Sequence, residues 1–196
     1  MSDPLPTLAP PELAAHLLGG SAALFPTDTL PALASCPSQA HQLWALKHRP
    51  AEKPLILMAA NAEALLGSIG RPARPEWLAM AAWAWPGAVT LVLPAIGPVA
   101  EALNPGGGSL GLRLPACPQA LALLELSGPL ATTSANVSGQ PPATTAEEAA
   151  RQFAAVPLLG PMPWPEAGGM ASTVLAWRER GGWQVLRAGA LLPPGI

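Results

Sequence analysis

Three short groups of residues in this 196-residue chain carry side chains suited to chemistry. Lys47-His48-Arg49, with Lys53 close behind, puts three of the ten lysines and arginines within seven positions, and Lys47 and Lys53 are the only lysines. Arginine offers a planar fork of donors and lysine a point charge, so the group suits a clamp on phosphate oxygens. A plainer reading stands beside it. Pro50 disfavours helical geometry at Arg49, and cations are favoured at a helix C-terminus, so the same residues suit capping and solvation.

The second group, Thr132-Thr133-Ser134-Ala135-Asn136-Val137-Ser138-Gly139, is dense in hydroxyls and amides. Such groups hold phosphate and ribose oxygens without charge, although a polar turn shows many of the same residues. The third, Thr27-Asp28-Thr29, holds one of only two aspartates; the other, Asp3, lies near the start of the chain.

These groups need elements to position them. Helices are expected over 10–19, opened by Pro10-Pro11, over 38–47 with Ser38 as cap and Leu43, Trp44 and Leu46 inward, and over 61–67, 75–84 and 118–126. Thr145 and Glu148 read as a capping box for a helix running to Phe153. Strands are expected at Ala22–Pro26, Leu55–Ala59, Ala88–Leu93, Ser109–Leu114 and Pro129–Thr133, then at 155–159, 172–177 and 183–187. Leu55–Ala59, fully apolar, reads as covered on both faces. The alternation gives an α/β or α+β fold with a mixed sheet, and loops at the carboxyl ends of strands are where such folds place ligands.

Composition narrows the function. Only 11% of residues are charged and half are hydrophobic, which excludes disorder and leaves enough apolar side chain for one compact domain. A net charge of −2 offers no global field toward nucleic acid or an anionic membrane. No charge occurs between Glu76 and Glu101, but Pro86-Gly87, Pro94, Gly97 and Pro98 break that stretch, so it reads as buried helix, turn and strand and not as a membrane span. Cys36 and Cys117 have no zinc-ligand spacing and suit a reducing cytosol. No phosphate loop, dinucleotide fingerprint, histidine metal motif or nucleophile elbow occurs, and the seven tryptophans read as core.

Five stretches occur in an order that matches a known pattern: Pro26-Thr27-Asp28-Thr29; Lys47-His48-Arg49-Pro50 with Lys53-Pro54-Leu55-Ile56; Trp85-Pro86-Gly87; Ser109-Leu110-Gly111-Leu112-Arg113; and Ser134-Ala135-Asn136-Val137-Ser138-Gly139. Ser172-Thr173-Val174 and Leu186-Arg187-Ala188-Gly189-Ala190 follow. Together they resemble the YrdC-like, TsaC-type family of threonylcarbamoyl-AMP synthases, in its short form without an extra C-terminal domain. The resemblance implies one YrdC-like domain over 1–196, with a twisted open mixed sheet flanked by helices around a central concave cavity.

It also implies a cytoplasmic enzyme that makes threonylcarbamoyl-adenylate and pyrophosphate from ATP, L-threonine and bicarbonate, with magnesium held mainly by the substrate phosphates. Other proteins pass the threonylcarbamoyl group to tRNA. By this resemblance Lys47, Arg49 and Lys53 grip the ATP phosphates. Ser134 and Asn136, helped by Ser109 and Arg187, hold adenylate oxygens. Thr29, Arg113, Thr132 and Ser172 line the threonine and carbamate end. Lys47, Arg49, Ser134 and Asn136 form the catalytic set.

After Thr29 the pattern departs. The family's usual Val-Tyr-Gly-Leu-Gly, or its close variant with Phe, is replaced by Leu30-Pro31-Ala32-Leu33-Ala34, which implies either a reshaped amino-acid pocket or a reduced or redirected activity, because alanine does not share glycine's access to positive φ. Two alternatives therefore accompany the enzyme reading. One is a translation-associated factor that grips double-stranded RNA or tRNA weakly through the same cavity; the other is a nucleotide-binding homologue with an altered threonine pocket.

Overall fold

The computed structural model describes residues 6–50, 53–180 and 182–193. The chain runs β1 (Thr7–Leu8), α1 (Pro10–Leu18), β2 (Ala23–Phe25), β3 (Ala32–Ser35), a 3₁₀ turn (Pro37–Gln39), α2 (His41–Lys47) and β4 (Ile56–Met58). Next come α3 (Ala62–Gly67), α4 (Pro75–Ala84), β5 (Val89–Pro94), α5 (Pro98–Leu103), β6 (Ser109–Arg113) and α6 (Pro118–Ser127). Then β7 (Leu130–Ser134), α7 (Ala146–Gln152), β8 (Leu158–Leu159), β9 (Thr173–Arg178) and β10 (Gly182–Arg187) complete the described elements. No helix among the described residues is long and apolar enough to cross a membrane.

Local chemistry starts the helices. Asn61 caps α3 by accepting the Ala64 N–H at 2.8 Å. At α7, Thr145 accepts the Glu148 N–H at 3.2 Å, but the Glu148 carboxylate returns its bond to the N–H of Thr144, not of Thr145. Ser38 does not cap α2. It lies inside the 3₁₀ turn, and α2 begins at His41 after Ala40 with no side-chain cap.

The ten strands form one mixed sheet in the order β1-β8-β2-β3-β7-β4-β6-β5-β9-β10. β4 runs parallel to β6 and β5 to β9, while β3 with β7, β4 with β7, β5 with β6, and β9 with β10 are antiparallel. Because side chains alternate along a strand, each face collects its own set. Leu24, Leu33, Leu57, Leu91, Leu93, Leu110, Leu112 and Leu175 point to one face, where Leu43, Trp44, Leu65, Trp77 and Leu103 from the helices cover them. Burying each of these large apolar side chains contributes roughly 1.5–3 kcal/mol.

On the opposite face, α1 and α6 pack Leu13, Leu17, Leu123 and Leu124 against Phe25, Ala32, Ala34 and Leu130. They cover only the β2, β3 and β7 side of that face. Over β4, β6, β5 and β9 the alternate residues Ile56, Met58, Gly111, Arg113, Thr90, Val92, Val174 and Ala176 line open space. β4 is therefore apolar because one face meets the helical core and the other walls a cavity, not because protein covers both.

Candidate active site

The uncovered half of the sheet forms the floor of a cavity of about 660 Å³. Register places Thr132, Ile56, Gly111, Val92 and Ala176 in one transverse row across β7, β4, β6, β5 and β9. Four guanidiniums line the space, those of Arg49, Arg113, Arg178 and Arg187, and none of the lining residues is a carboxylate. Arginine stays cationic across ordinary pH, so the cavity is built to receive anions. Burial draws the proton affinities of Arg49, Arg113 and Arg187 below their ordinary values; at Arg113 the neighbouring Asp28 carboxylate opposes that drift.

At one end the first and second sequence groups meet. Helix α2 stops at His48, which takes the left-handed conformation (φ 51°, ψ 43°) and sends Lys47 and Arg49 in different directions. The Lys47 side chain goes inward. Only 2% exposed, its ammonium donates to the carbonyls of Ser134 and Asn136, both at 2.5 Å, and to Asn136 Oδ1 at 3.2 Å. Burial, and then the nearby Arg49 charge, lowers its pKa to about 7. Arg49 faces the cavity, donating to Thr133 Oγ1 at 3.0 Å and the Pro54 carbonyl at 3.2 Å. Its buried Nε finds no acceptor among the described residues.

Asn136 is fully occupied in shaping the turn. Its Oδ1 accepts from Ser134 Oγ at 2.6 Å, and its Nδ2 donates to the carbonyls of Val137 and Gln140. Ser134 lines the cavity, whereas Lys47, Asn136 and the exposed Lys53 do not. The two motifs therefore touch directly.

At the other end, Arg113 is 4% exposed and held on three sides. Its Nε donates to the Gly87 carbonyl at 3.2 Å, Nη1 to Thr29 Oγ1 at 2.7 Å and Nη2 to Asp28 Oδ1 at 2.7 Å. Thr132 Oγ1 donates to the Ile56 carbonyl at 3.0 Å. Ser172 Oγ lies 2.9 Å from Thr90 Oγ1, and its carbonyl accepts from Arg187 Nε and Nη2 at 3.1 and 2.8 Å. On a third side Asn104 Nδ2 donates to Ser109 Oγ at 3.1 Å. Thus Thr29, Arg49, Ser109, Arg113, Thr132, Ser134, Ser172 and Arg187 share one cavity.

A family model described as "Telomere recombination", the Sua5/YciO/YrdC domain, matches residues 15–189, nearly the whole chain. The chain belongs to the Sua5/YciO/YrdC family.

Among relatives of this Sua5/YciO/YrdC domain, a protein of Stenotrophomonas maltophilia named threonylcarbamoyl-AMP synthase is 39% identical over 140 residues, covering 68% of this chain and 75% of that protein. The structure of Pyrococcus abyssi Sua5 complexed with L-threonine superposes with a TM-score of 0.84 at 32% identity, covering 92% of this chain. This chain spans 54% of that longer protein. Escherichia coli YciO, at TM-score 0.79 and 20% identity over 92% of this chain and 88% of its own, shares the fold.

The segment that departs from the Sua5/YciO/YrdC pattern is accommodated without strain. Ala32 and Ala34 lie in β3, paired with Ser134 and Thr132, and His48 is the only non-glycine among the described residues with positive φ. Leu30, Pro31 and Ala32 line the cavity beside Thr29. Among the lining residues that the sequence motifs do not include are Thr90, Val92, Trp177 and Arg178. For the first two the alternation of Thr90, Val92 and Pro94 with Leu91 and Leu93 was the available signal.

Proposed function

We propose that this chain is an L-threonylcarbamoyladenylate synthase, a cytoplasmic nucleotidyltransferase that supplies the adenylate for threonylcarbamoyladenosine formation on tRNA by other proteins. The observation that supports this most is the cavity's composition. Several guanidiniums and a hydroxyl-rich rim converge on one space without a lining carboxylate, which suits a triphosphate and two carboxylate-type reactants held together.

In this reading the amine of threonine takes up bicarbonate with loss of water to give a carbamate. A carbamate oxygen then attacks the α-phosphorus of ATP in line as pyrophosphate leaves. No protein group needs to form a covalent intermediate. Holding the carbamate against the phosphate offsets up to roughly 7–11 kcal/mol of the barrier by removing translational and rotational freedom.

Arg49 and Ser134 meet the phosphates, with Ser109 and Arg187 completing the nucleotide side. Arg113, Thr29, Thr132 and Ser172 hold the amino acid and its carbamate, and the Leu30-Pro31-Met58 wall receives the threonine methyl. Lys47 and Asn136 act one layer behind, by fixing the turn that carries Ser134. Exposed Lys53 has no contact in this reading.

The described residues contain no group of three acidic, histidine or cysteine side chains able to hold a metal ion. They do not fit a dedicated magnesium site, so magnesium belongs to this account only as a companion of ATP. Incorporation of labelled bicarbonate into an adenylate tests the proposal. Label should appear only when ATP and threonine are both present; ATP turnover indifferent to threonine would refute it.

A further inference from the structure

Asp28 takes no part in the chemistry above, yet it forms the only ion pair among the described residues whose cation is buried. Its Oδ1 accepts from Arg113 Nη2 at 2.7 Å and from the backbone N–H of Ala116 at 3.1 Å. The Ala116 bond ties the carboxylate to the chain just beyond β6, so Asp28 and Arg113 cannot drift independently. The backbone around Asp28 is fixed too. Gly168 N–H donates to the Asp28 carbonyl at 3.3 Å and Gly169 N–H to the Thr29 carbonyl at 3.1 Å.

A guanidinium has five N–H donors in a rigid plane. In Arg113 three of them are committed, to Gly87, Thr29 and Asp28, which leaves one on each terminal nitrogen of a side chain that lines the cavity. Of the three acceptors only Asp28 is charged, and a charge-assisted bond is about twice as strong as a neutral one. Without it the Nη2 side of the group has no fixed anchor.

We infer that Asp28 is a positioning residue for the amino-acid substrate: by locking the Arg113 guanidinium it aims the two uncommitted N–H groups at the carboxylate of the bound amino acid. Asp28 touches no substrate itself. The inference rests on the reading that Arg113 meets the amino-acid end.

The test is calorimetric binding of L-threonine and, separately, of ATP to Asp28→Asn, Asp28→Ala and Arg113→Ala, each shown to be folded by circular dichroism. Asp28→Ala should raise the threonine Kd at least about tenfold, as expected when a buried charged anchor is lost. Asp28→Asn, which keeps a neutral acceptor, should give an intermediate rise, and neither should move the ATP Kd by more than about twofold. If Asp28→Ala does not fold, Asp28→Asn decides alone. Wild-type threonine affinity in the Asp28 variants, or ATP affinity falling in step with it, overturns the inference. If Arg113→Ala abolishes threonine binding while the Asp28 variants do not affect it, the positioning role alone falls. If threonine binding survives Arg113→Ala, the reading of the amino-acid end falls with it.

Discussion

The Lys47 ammonium donates to the backbone carbonyl of Ser134 at 2.5 Å, joining residues 87 positions apart, and the same nitrogen reaches the carbonyl of Asn136. Helix α2 is thereby stitched to the turn after β7, and the Ser138 N–H returns a bond to the Lys47 carbonyl at 2.8 Å. Arg49, which donates to Thr133 next to Ser134, lines the same cavity as Ser134.

Lys47 should leave a signature in the dependence of stability on pH. Its pKa is about 7 in the folded protein, against an ordinary 10.5. Between those values the unfolded chain carries a proton that the folded one lacks, so Lys47 makes stability rise with pH across that window, by at most about 1.4 kcal/mol per pH unit. Urea unfolding from pH 7 to 10 should show a steeper rise for the wild type than for Lys47→Met. Parallel profiles would mean that the lysine keeps its proton throughout.

Arg49→Ala should weaken ATP binding by more than the roughly 0–1 kcal/mol typical of an exposed charge. The side chain lines the cavity, and its bonds to Thr133 and Pro54 use one N–H on each terminal nitrogen, so the second N–H of each is available to a ligand. Isothermal titration with ATP measures the loss, and an unchanged affinity would return Arg49 to a capping role.

Gly111 lies mid-row on the cavity floor, and a Cβ there would meet Ile56 Cγ1 at 3.5 Å and Thr90 Cγ2 at 3.6 Å, ordinary contact distances. Gly111→Ala should therefore fold while placing a methyl group in ligand space. We expect a Tm shift under about 2–4 °C, equivalent to less than about 1 kcal/mol, with a much larger loss of ATP or threonine affinity. A variant that binds both normally would place the ligands off this row.

His48 holds the left-handed conformation that divides Lys47 from Arg49, at a steric cost of roughly 1–2 kcal/mol for a residue with a Cβ. His48→Gly should stabilise the protein by about 0.5–1 kcal/mol in chemical denaturation, since glycine adopts positive φ freely but loses more entropy on folding. Destabilisation would show that the imidazole itself contributes.

Much of this arrangement is legible in the sequence because α1, α4, α6 and the long strands combine clear apolar runs with Pro, Gly or hydroxyl punctuation. β1 and α5 are not, since two residues are too few for a pattern and Pro98–Leu103 follows a string of breakers. β3 is hidden because Pro31 stands at its threshold, and only pairing with β2 and β7 makes Ala32–Ser35 a strand. The direction of Lys47 had a signal. It shares a helical face with buried Leu43, four residues earlier, and so should point inward. The union of Arg113 with Asp28 and Thr29 joins the end of β6 to the loop between β2 and β3, segments about 85 residues apart, which no local pattern encodes.

A crystal soaked with ATP and L-threonine tests the central claim most directly. Both ligands should lie in the one cavity, the phosphates against Arg49 and Ser134 and the threonine carboxylate against Arg113, with the threonine nitrogen turned toward the α-phosphate. Phosphates bound away from the turn after β7, or threonine bound outside the Arg113 pocket, would contradict it.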